Sequence, residues 1–210
     1  MEKFIKRIFD FILALILFIP GAIVLLLGML FVKIVSPESS PIFKQVRVGY
    51  KNKHFTMYKL RSMTNERDAE GNLLPDEVRL KTWGKIVRKT NMHELFQIWN
   101  ILLGEMSFIG PRPILPQEML VMTEEEQKER QSMRPGITGW EAIHEGESEI
   151  RREMAEFDLY YVRNWSIGMD WKIFYTTIGL VVGFARPDDK YRAPKLDESE
   201  FRTDKEVGNE

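Results

Sequence analysis

Polar and basic side chains gather between Lys59 and Gly139. Within that stretch, residues 91–103 predict an amphipathic helix, with Leu95, Ile98, Trp99, Leu102 and Leu103 recurring at helical spacing. Asn91 reads as its N-cap and Glu94, three residues on, as the partner in a capping box. A helix start exposes backbone N–H groups and the positive end of the dipole, which together favour an anion. Lys59, Arg61, Lys85, Arg88, Lys89, Arg112 and Arg134 are the candidates to add charge there. The arginine fork matches phosphate oxygens, and Arg112 and Arg134 stand in the proline-fixed segments Gly110-Pro111-Arg112-Pro113 and Arg134-Pro135-Gly136. The same segments also read as structural turns with solvated charges. His93 and Glu94 fall in the first turn of the helix. A histidine beside a positive dipole end is expected neutral, hence nucleophilic or metal-binding. Glu94 reads equally as the capping carboxylate and His93 as an ordinary exposed side chain. Gln97 and Asn100 continue a polar face from His93.

The elements that must position these residues are short. Residues 41–61 predict a β-hairpin, with Ile42, Phe43, Val46 and Val48 on one strand, turn residues 49–53, and Phe55 to Leu60 returning. Residues 65–80 read as a polar surface loop leading into a helix. A short strand at 106–109 precedes the GPRP segment. Residues 115–132 predict a charged amphipathic helix stopped by Arg134-Pro135-Gly136, and a further helix covers 148–163. The segment 170–184 is rich in aromatic and β-branched residues. It reads either as a core helix or as an interfacial helix with Trp and Tyr near lipid headgroups.

Phe11 to Val32 is an uncharged apolar run. As one straight helix it would rise about 33 Å, enough for a hydrocarbon core of about 30 Å. Pro20-Gly21 near its middle predicts a kink. Lys3, Lys6 and Arg7 precede the run, and Lys33, Lys44, Arg47, Lys51 and Lys53 follow it. The positive-inside rule leaves one flank of a crossing helix poor in such residues. Basic flanks on both sides suit a helix that enters, bends at Pro20 and leaves on the same face; an ordinary spanning helix with a proline kink is the alternative. The remaining composition narrows the classes. The 210 residues fit one domain plus an anchor, and 44% hydrophobic content can build a core. The net charge of −1 provides no global field for nucleic acid. The absence of cysteine excludes disulfides, thiolate metal sites and a cysteine nucleophile.

The order and spacing of these pieces are similar to the bacterial sugar transferase family, the small monotopic phosphoglycosyl transferases. The resemblance is carried by the proline-containing hydrophobic helix, FKQVRVG at 43–49, MYKLRSM at 57–63, NERDAEGNLLPDEVRL at 65–80, TNMHELFQIWNILLGEMSFIGPRP at 90–113, RPGITGW at 134–140 and FDLYYVRNWSIGMDWKI at 157–173. It implies an α+β fold, mostly helical with a short hairpin, divided into a re-entrant helix broken at Pro20 (1–35) and a cytoplasmic transferase-like domain with interfacial helices (36–184); beyond the resemblance, the charged tail (185–210), poor in apolar residues, reads as disordered. It implies residence at the bacterial inner membrane with the domain facing the cytoplasm. The implied reaction moves a phosphosugar from a UDP-sugar to a polyprenyl phosphate in polysaccharide synthesis, releases UMP, requires Mg2+ and passes through a covalent enzyme–phosphosugar intermediate. The implied nucleophile is the aspartate of an Asp-Glu pair.

This chain departs from that pattern at two places. The family's Asp-Glu-Leu-Pro stands here as His93-Glu94-Leu95-Phe96, so the aspartate is replaced and Glu94 remains, as a magnesium candidate. After RPGITGW, an arginine that the family directs at the nucleotide diphosphate is missing, and the segment reads Glu141-Ala142-Ile143-His144-Glu145-Gly146-Glu147. Three hypotheses follow. The chain is an active transferase with His93 as nucleophile and Glu94 beside it, and with Lys59, Arg61, Arg88, Arg112 and Arg134 on the phosphates. Or it is a catalytically silent relative that partners or regulates an active paralogue or a later glycosyltransferase. Or His93 and His144, each followed by glutamate, form a repurposed site for zinc, iron or manganese.

Overall fold

The computed structural model describes residues 2–144 and 151–184. Residues 145–150, part of the acidic segment, and the 185–210 tail with its expected disorder lie outside the described residues.

Helix α1 (Glu2–Val35) runs through Pro20 as one element. The expected break at Pro20 is therefore not an end to the helix. Proline removes one backbone donor, but the apolar residues on both sides keep the helix going and pack it on the rest of the chain. Asp10, Ala14, Gly21, Leu25, Gly28 and Val32 form its buried face, spaced at three, four or seven residues. The other face exposes Ile16, Ile19, Ile23, Leu26, Leu27 and Leu30. Among the described residues α1 is the one helix long and apolar enough to cross a membrane. Both of its halves pack on the same body: Ala14 and Phe18 join a cluster with Met57, Ile98 and Ile101, while Val32 joins Leu60 and Val87.

Strands β1 (Ile42–Val48) and β2 (His54–Leu60) form the expected antiparallel hairpin, in a register running from Ile42 opposite Leu60 to Val48 opposite His54. The turn uses left-handed Lys51 and Asn52. Because Phe43 faces Lys59 and Arg47 faces Phe55, the charges of Arg47 and Lys59 share one face of the hairpin with Phe55 and Met57.

The loop after β2 leads through the short helix α2 (Asp76–Arg79) into α3 (Thr82–Lys89). Gly84 lets α3 approach the chain after β2: a Cβ there would lie 1.9 Å from the carbonyl oxygen of Ser62. The single helix expected over 91–103 is instead a 3-10 turn (Met92–Glu94) followed by α4 (Gln97–Leu102). Asn91 is not its N-cap. It sits in the left-handed region (φ 53°) with no side-chain cap, and its N–H bonds to Arg88 O at 3.0 Å. Asparagine tolerates that conformation, so it closes α3 rather than opening α4.

Strand β3 (Ser107–Ile109) pairs in parallel with β4 (Gly136–Thr138), a strand not expected from the sequence. The GPRP and RPGITG segments interlock here through backbone contact: a Cβ on Gly136 would meet Gly110 N at 2.2 Å, and one on Gly139 would meet Gly110 O at 2.3 Å. Between the two strands, the helix expected over 115–132 is split into a 3-10 turn (Pro116–Val121) and α5 (Glu124–Arg130). Thr123 makes the division. Its hydroxyl accepts from Glu126 N at 3.3 Å, and its own N–H donates to the Glu126 carboxylate at 2.9 Å.

Helices α6 (Trp140–His144), α7 (Arg151–Asn164) and α8 (Ile167–Val182) complete the chain. Ile109, Trp140, Ile143, Phe157, Tyr161 and Ile173 make their common core. Ser166 caps α8 at its start and left-handed Gly183 at its end. The core-helix reading of this segment is corrected: only Ile173 of α8 is buried, while Trp171, Tyr175, Ile178, Val181 and Val182 are exposed.

Candidate functional site at the His93–Glu94 turn

The 92–94 turn stands over the hairpin face that carries Lys59 and against the apolar helix α1. A Cβ on Gly28 of α1 would lie 2.8 Å from Leu60 and 3.4 Å from Met92. Glu94 is the hub of the turn. Its Oε1 lies 3.0 Å from Lys59 Nζ and 3.0 Å from His93 Nε2. Its Oε2 accepts from Gln97 Nε2 at the start of α4. Burial pushes the Glu94 carboxyl up, but the His93 hydrogen bond and the Lys59 ammonium outweigh it and hold the group down to about 2. The carboxylate is thus ionised and enclosed by donors, rather than capping a helix.

His93 is held at both ring nitrogens. Nδ1 lies 3.3 Å from Val87 O, the carbonyl that α3 presents, and Nε2 faces Glu94. Both partners are acceptors, so both ring nitrogens of His93 are engaged within the turn. The helix dipole that the sequence reading placed beside His93 is absent, because α4 begins four residues later, at Gln97.

The basic candidates separate into groups. Lys59 belongs to the Glu94 cluster. Arg61 donates through Nε to Ser40 O and through Nη1 to Asn65 at 2.7 Å, and its guanidinium lies 5.9 Å from the Phe43 ring centroid. Arg88 reaches Ser62 Oγ at 3.1 Å. Arg61 and Arg88 therefore border the chain after β2. Arg112 is fixed through its main chain: its N–H donates to Asp158 at 3.1 Å, and its carbonyl accepts from Arg130 Nη2 at 2.5 Å. The Arg112 guanidinium lies 3.4 Å from Glu141 Oε1 and remains half exposed. Asp158 and Arg130 are a buried ion pair. Burial pushes the Asp158 carboxyl up, against the pull of Arg130 and the Arg112 N–H. Arg134 is elsewhere, with Nε on Gly104 O at 2.8 Å and its guanidinium 4.8 Å from the Tyr50 ring centroid.

Arg47 is a residue that sequence reasoning left among the basic flanks. Its Nη1 donates to Pro113 O at 3.0 Å, tying the hairpin to the GPRP segment, and it interacts electrostatically with Glu94 and Arg112. The signal was available: Arg47 and Lys59 have the same parity in a paired hairpin. The carbonyl of Val87 carried no such signal.

The same geometry bears on metal binding. Among the described residues no three His, Cys, Asp or Glu side chains gather to hold an ion. His144 is buried, with Nδ1 2.8 Å from Trp140 O and its ring against Trp140 and Phe157. It forms part of the core, and Glu145, which follows it, lies outside the described residues. Magnesium favours an octahedron of oxygens. The turn supplies one carboxylate, with both oxygens engaged by N–H donors and the Lys59 ammonium beside it. This donor set does not fit a resident magnesium ion.

An apolar groove of about 470 Å3 adjoins the turn, between α1 (Phe18, Gly21, Leu25) and Leu95, Phe96 and Trp99. A turn of charged residues thus sits at one side of a groove walled by the hydrophobic helix, a layout suited to amphiphilic phosphates.

Residues 1–183 match the family model described as bacterial sugar transferase, and the chain belongs to that family. It is 42% identical over 179 residues to the uncharacterized sugar transferase EpsL of Bacillus subtilis, covering 85% of this chain and 87% of EpsL. It is 36% identical over 196 residues to the exopolysaccharide production protein PSS of Rhizobium leguminosarum, covering 85% of this chain and 95% of that protein. It is 36% identical over 186 residues to the undecaprenyl-phosphate glucose phosphotransferase of Komagataeibacter xylinus, where 82% of this chain matches only 35% of the longer relative.

Proposed function

We propose that this chain acts at a membrane surface on a UDP-sugar and a polyprenyl phosphate, in the sugar-phosphate transfer that begins polysaccharide assembly. The observation that carries this reading is the seating of the Lys59–Glu94–His93 cluster directly on α1, within a chain that matches the transferase family along its length. The contacts of both halves of α1 with one body support a monotopic arrangement. A helix crossing the bilayer would carry one end away from a domain on the other side, whereas here Asp10 and Val32 are both buried against the same domain. The exposed apolar face of α1 and the exposed aromatic side of α8 would then lie in the same leaflet, with the charged turn towards the cytoplasm.

In the transferase reading, His93 Nε2 bonds to the sugar-bearing phosphorus, the bond from that phosphorus to the UMP oxygen breaks, and UMP leaves. An oxygen of the lipid phosphate then attacks the same phosphorus and the N–P bond breaks. Lys59 would stabilise the equatorial oxygens. Nε2 must first turn from Glu94. The engagement of both ring nitrogens favours a second reading, in which the chain keeps the family scaffold but is catalytically silent and works beside an active transferase. UMP release by wild type, His93→Asp and His93→Ala across a panel of UDP-sugars separates the two. Release by wild type that disappears in His93→Ala supports histidine catalysis; release only by His93→Asp supports the silent reading. No release by any of the three, with no binding of UDP-sugar, overturns the transferase reading.

A further inference from the structure

A second concentration of charge lies near the N-terminus of α1, around Arg7 and Arg134. These two residues line a cavity of about 60 Å3 with Lys3, Lys6, Asp10 and Tyr50. The space suits a phosphate group and is too small for a sugar nucleotide. The two guanidinium groups are close enough to repel one another. Each is nevertheless fixed by the main chain: Arg7 Nη2 donates to Ile101 O at 2.7 Å, and Arg134 Nε to Gly104 O at 2.8 Å. The nearby carboxylates are committed to other partners. Asp10 accepts from Ser107 Oγ at 2.7 Å and Phe108 N at 3.2 Å, and Asp170 takes Lys6 at 2.7 Å and Tyr161 OH at 2.6 Å. Arg7 Nη1 is buried with no acceptor among the described residues. A buried, charged N–H group is favourable when an anion accepts from it.

The surroundings indicate which anion. Phe4, Ile8 and Phe11 of the same helix are exposed. Phe9 packs 6.1 Å from Trp171 of α8, beside the exposed Tyr175. Tryptophan and tyrosine at the edge of an apolar surface occupy the headgroup level of a bilayer. A cationic seat bordered by that surface is complementary to an amphiphile with an anionic head. A zwitterionic head would bring its own cation against four basic side chains.

We propose that Arg7 and Arg134 bind the phosphate of an anionic phospholipid, whose acyl chains lie along the exposed apolar face of α1. The bound lipid would fix the N-terminal half of α1 at the headgroup level and set the depth of the domain. Arg134 thereby acts as a lipid ligand, apart from the Glu94 cluster.

The test uses the full chain purified in detergent, with thermal unfolding followed as short-chain lipids are added and no UDP-sugar present. The readout is therefore independent of transfer activity. Dihexanoyl phosphatidylglycerol is expected to raise the unfolding midpoint by at least about 3 °C, as a ligand selective for the folded state does. Dihexanoyl phosphatidylcholine and inorganic phosphate at equal concentration are expected to leave it unchanged. Arg7→Gln is expected to remove most of the shift. Should Arg7→Gln not fold, Lys3→Gln, at an exposed position, is expected to shrink the shift by about half, as one of several basic residues around the phosphate. Equal shifts from both lipids would overturn the proposal. So would a shift from inorganic phosphate matching that from phosphatidylglycerol, or an undiminished shift in the variants.

Discussion

His93 Nε2 lies 3.0 Å from Glu94 Oε1, while the other nitrogen of the same ring lies 3.3 Å from the carbonyl oxygen of Val87. These two contacts define the centre of the molecule chemically. An aspartate at position 93 would place two carboxylates side by side. The histidine instead joins Lys59 in occupying Oε1 of the one carboxylate present.

The exchange is reversible by a single substitution. His93→Asp puts a second carboxylate beside Glu94 and removes one of the two side chains that engage its Oε1. Magnesium binding in the presence of UDP, followed by calorimetry, is expected to be at least about tenfold tighter in His93→Asp than in wild type. Binding by wild type as tight as by the variant would show that Lys59 and His93 do not compete with the ion.

The carboxylate of Glu94 is held down to about 2 by the hydrogen bond from His93 and by Lys59, against burial. A group depressed in the folded state contributes stability above its unfolded value, near 4.5, and loses it as the pH falls towards 2. The contribution is at most about 3 kcal/mol at neutral pH. Denaturant unfolding of wild type is therefore expected to weaken between pH 4.5 and 2 more steeply than that of Glu94→Gln, which carries no titrating group there. Parallel acid limbs for the two proteins would contradict the cluster.

The hairpin and the apolar helix were legible because each rests on local pattern: alternation and hydropathy. The errors have a common physical origin. Asn91 and Glu94 fit the spacing of a capping box, but Asn91 adopts the left-handed conformation that ends α3, and Lys59, distant in sequence, draws Glu94 away. Thr123 and Glu126 do form a capping box, inside a stretch whose continuous charge pattern concealed it. Arg134 and Arg112 shared proline-fixed contexts and so were grouped, yet tertiary packing assigns one to Gly104 and Tyr50 and the other to Asp158 and Glu141. Local sequence identifies which residues are constrained; the partner that constrains them is set by parity and packing.

Gly84 tests whether α3 positions His93. A Cβ there would stand 1.9 Å from Ser62 O, a backbone atom that a side-chain rotation cannot move. Gly84→Ala is expected to push α3 outward and to cost stability at the upper end of the roughly 1–3 kcal/mol of overpacking. Val87 moves with α3, so its carbonyl would leave His93 Nδ1. The imidazole carbon resonances of His93 are expected to change in Gly84→Ala, whereas those of His54, exposed at the start of β2, are not. A stable variant with unaltered His93 resonances would show that α3 does not hold the ring.

Asp10 tests how the apolar helix α1 is tied to the rest of the chain. It is a buried carboxylate at the edge of an apolar run, accepting from Ser107 Oγ at 2.7 Å and Phe108 N at 3.2 Å. Removing it leaves the Phe108 N–H without that acceptor and the Ser107 hydroxyl with only Ile109 O at 2.9 Å. Asp10→Leu is expected to lower stability in detergent by about 1–3 kcal/mol. Asp10→Asn keeps an acceptor oxygen and is expected to lose less. Adding Ser107→Ala to Asp10→Leu is expected to cost less than the sum of the two single changes, because the second removes a hydroxyl that the first has already deprived of a partner. Strict additivity would assign the loss to the Phe108 N–H alone, and a neutral Asp10→Leu would mean that the apolar contacts of Ala14, Leu25 and Val32 suffice to seat the helix.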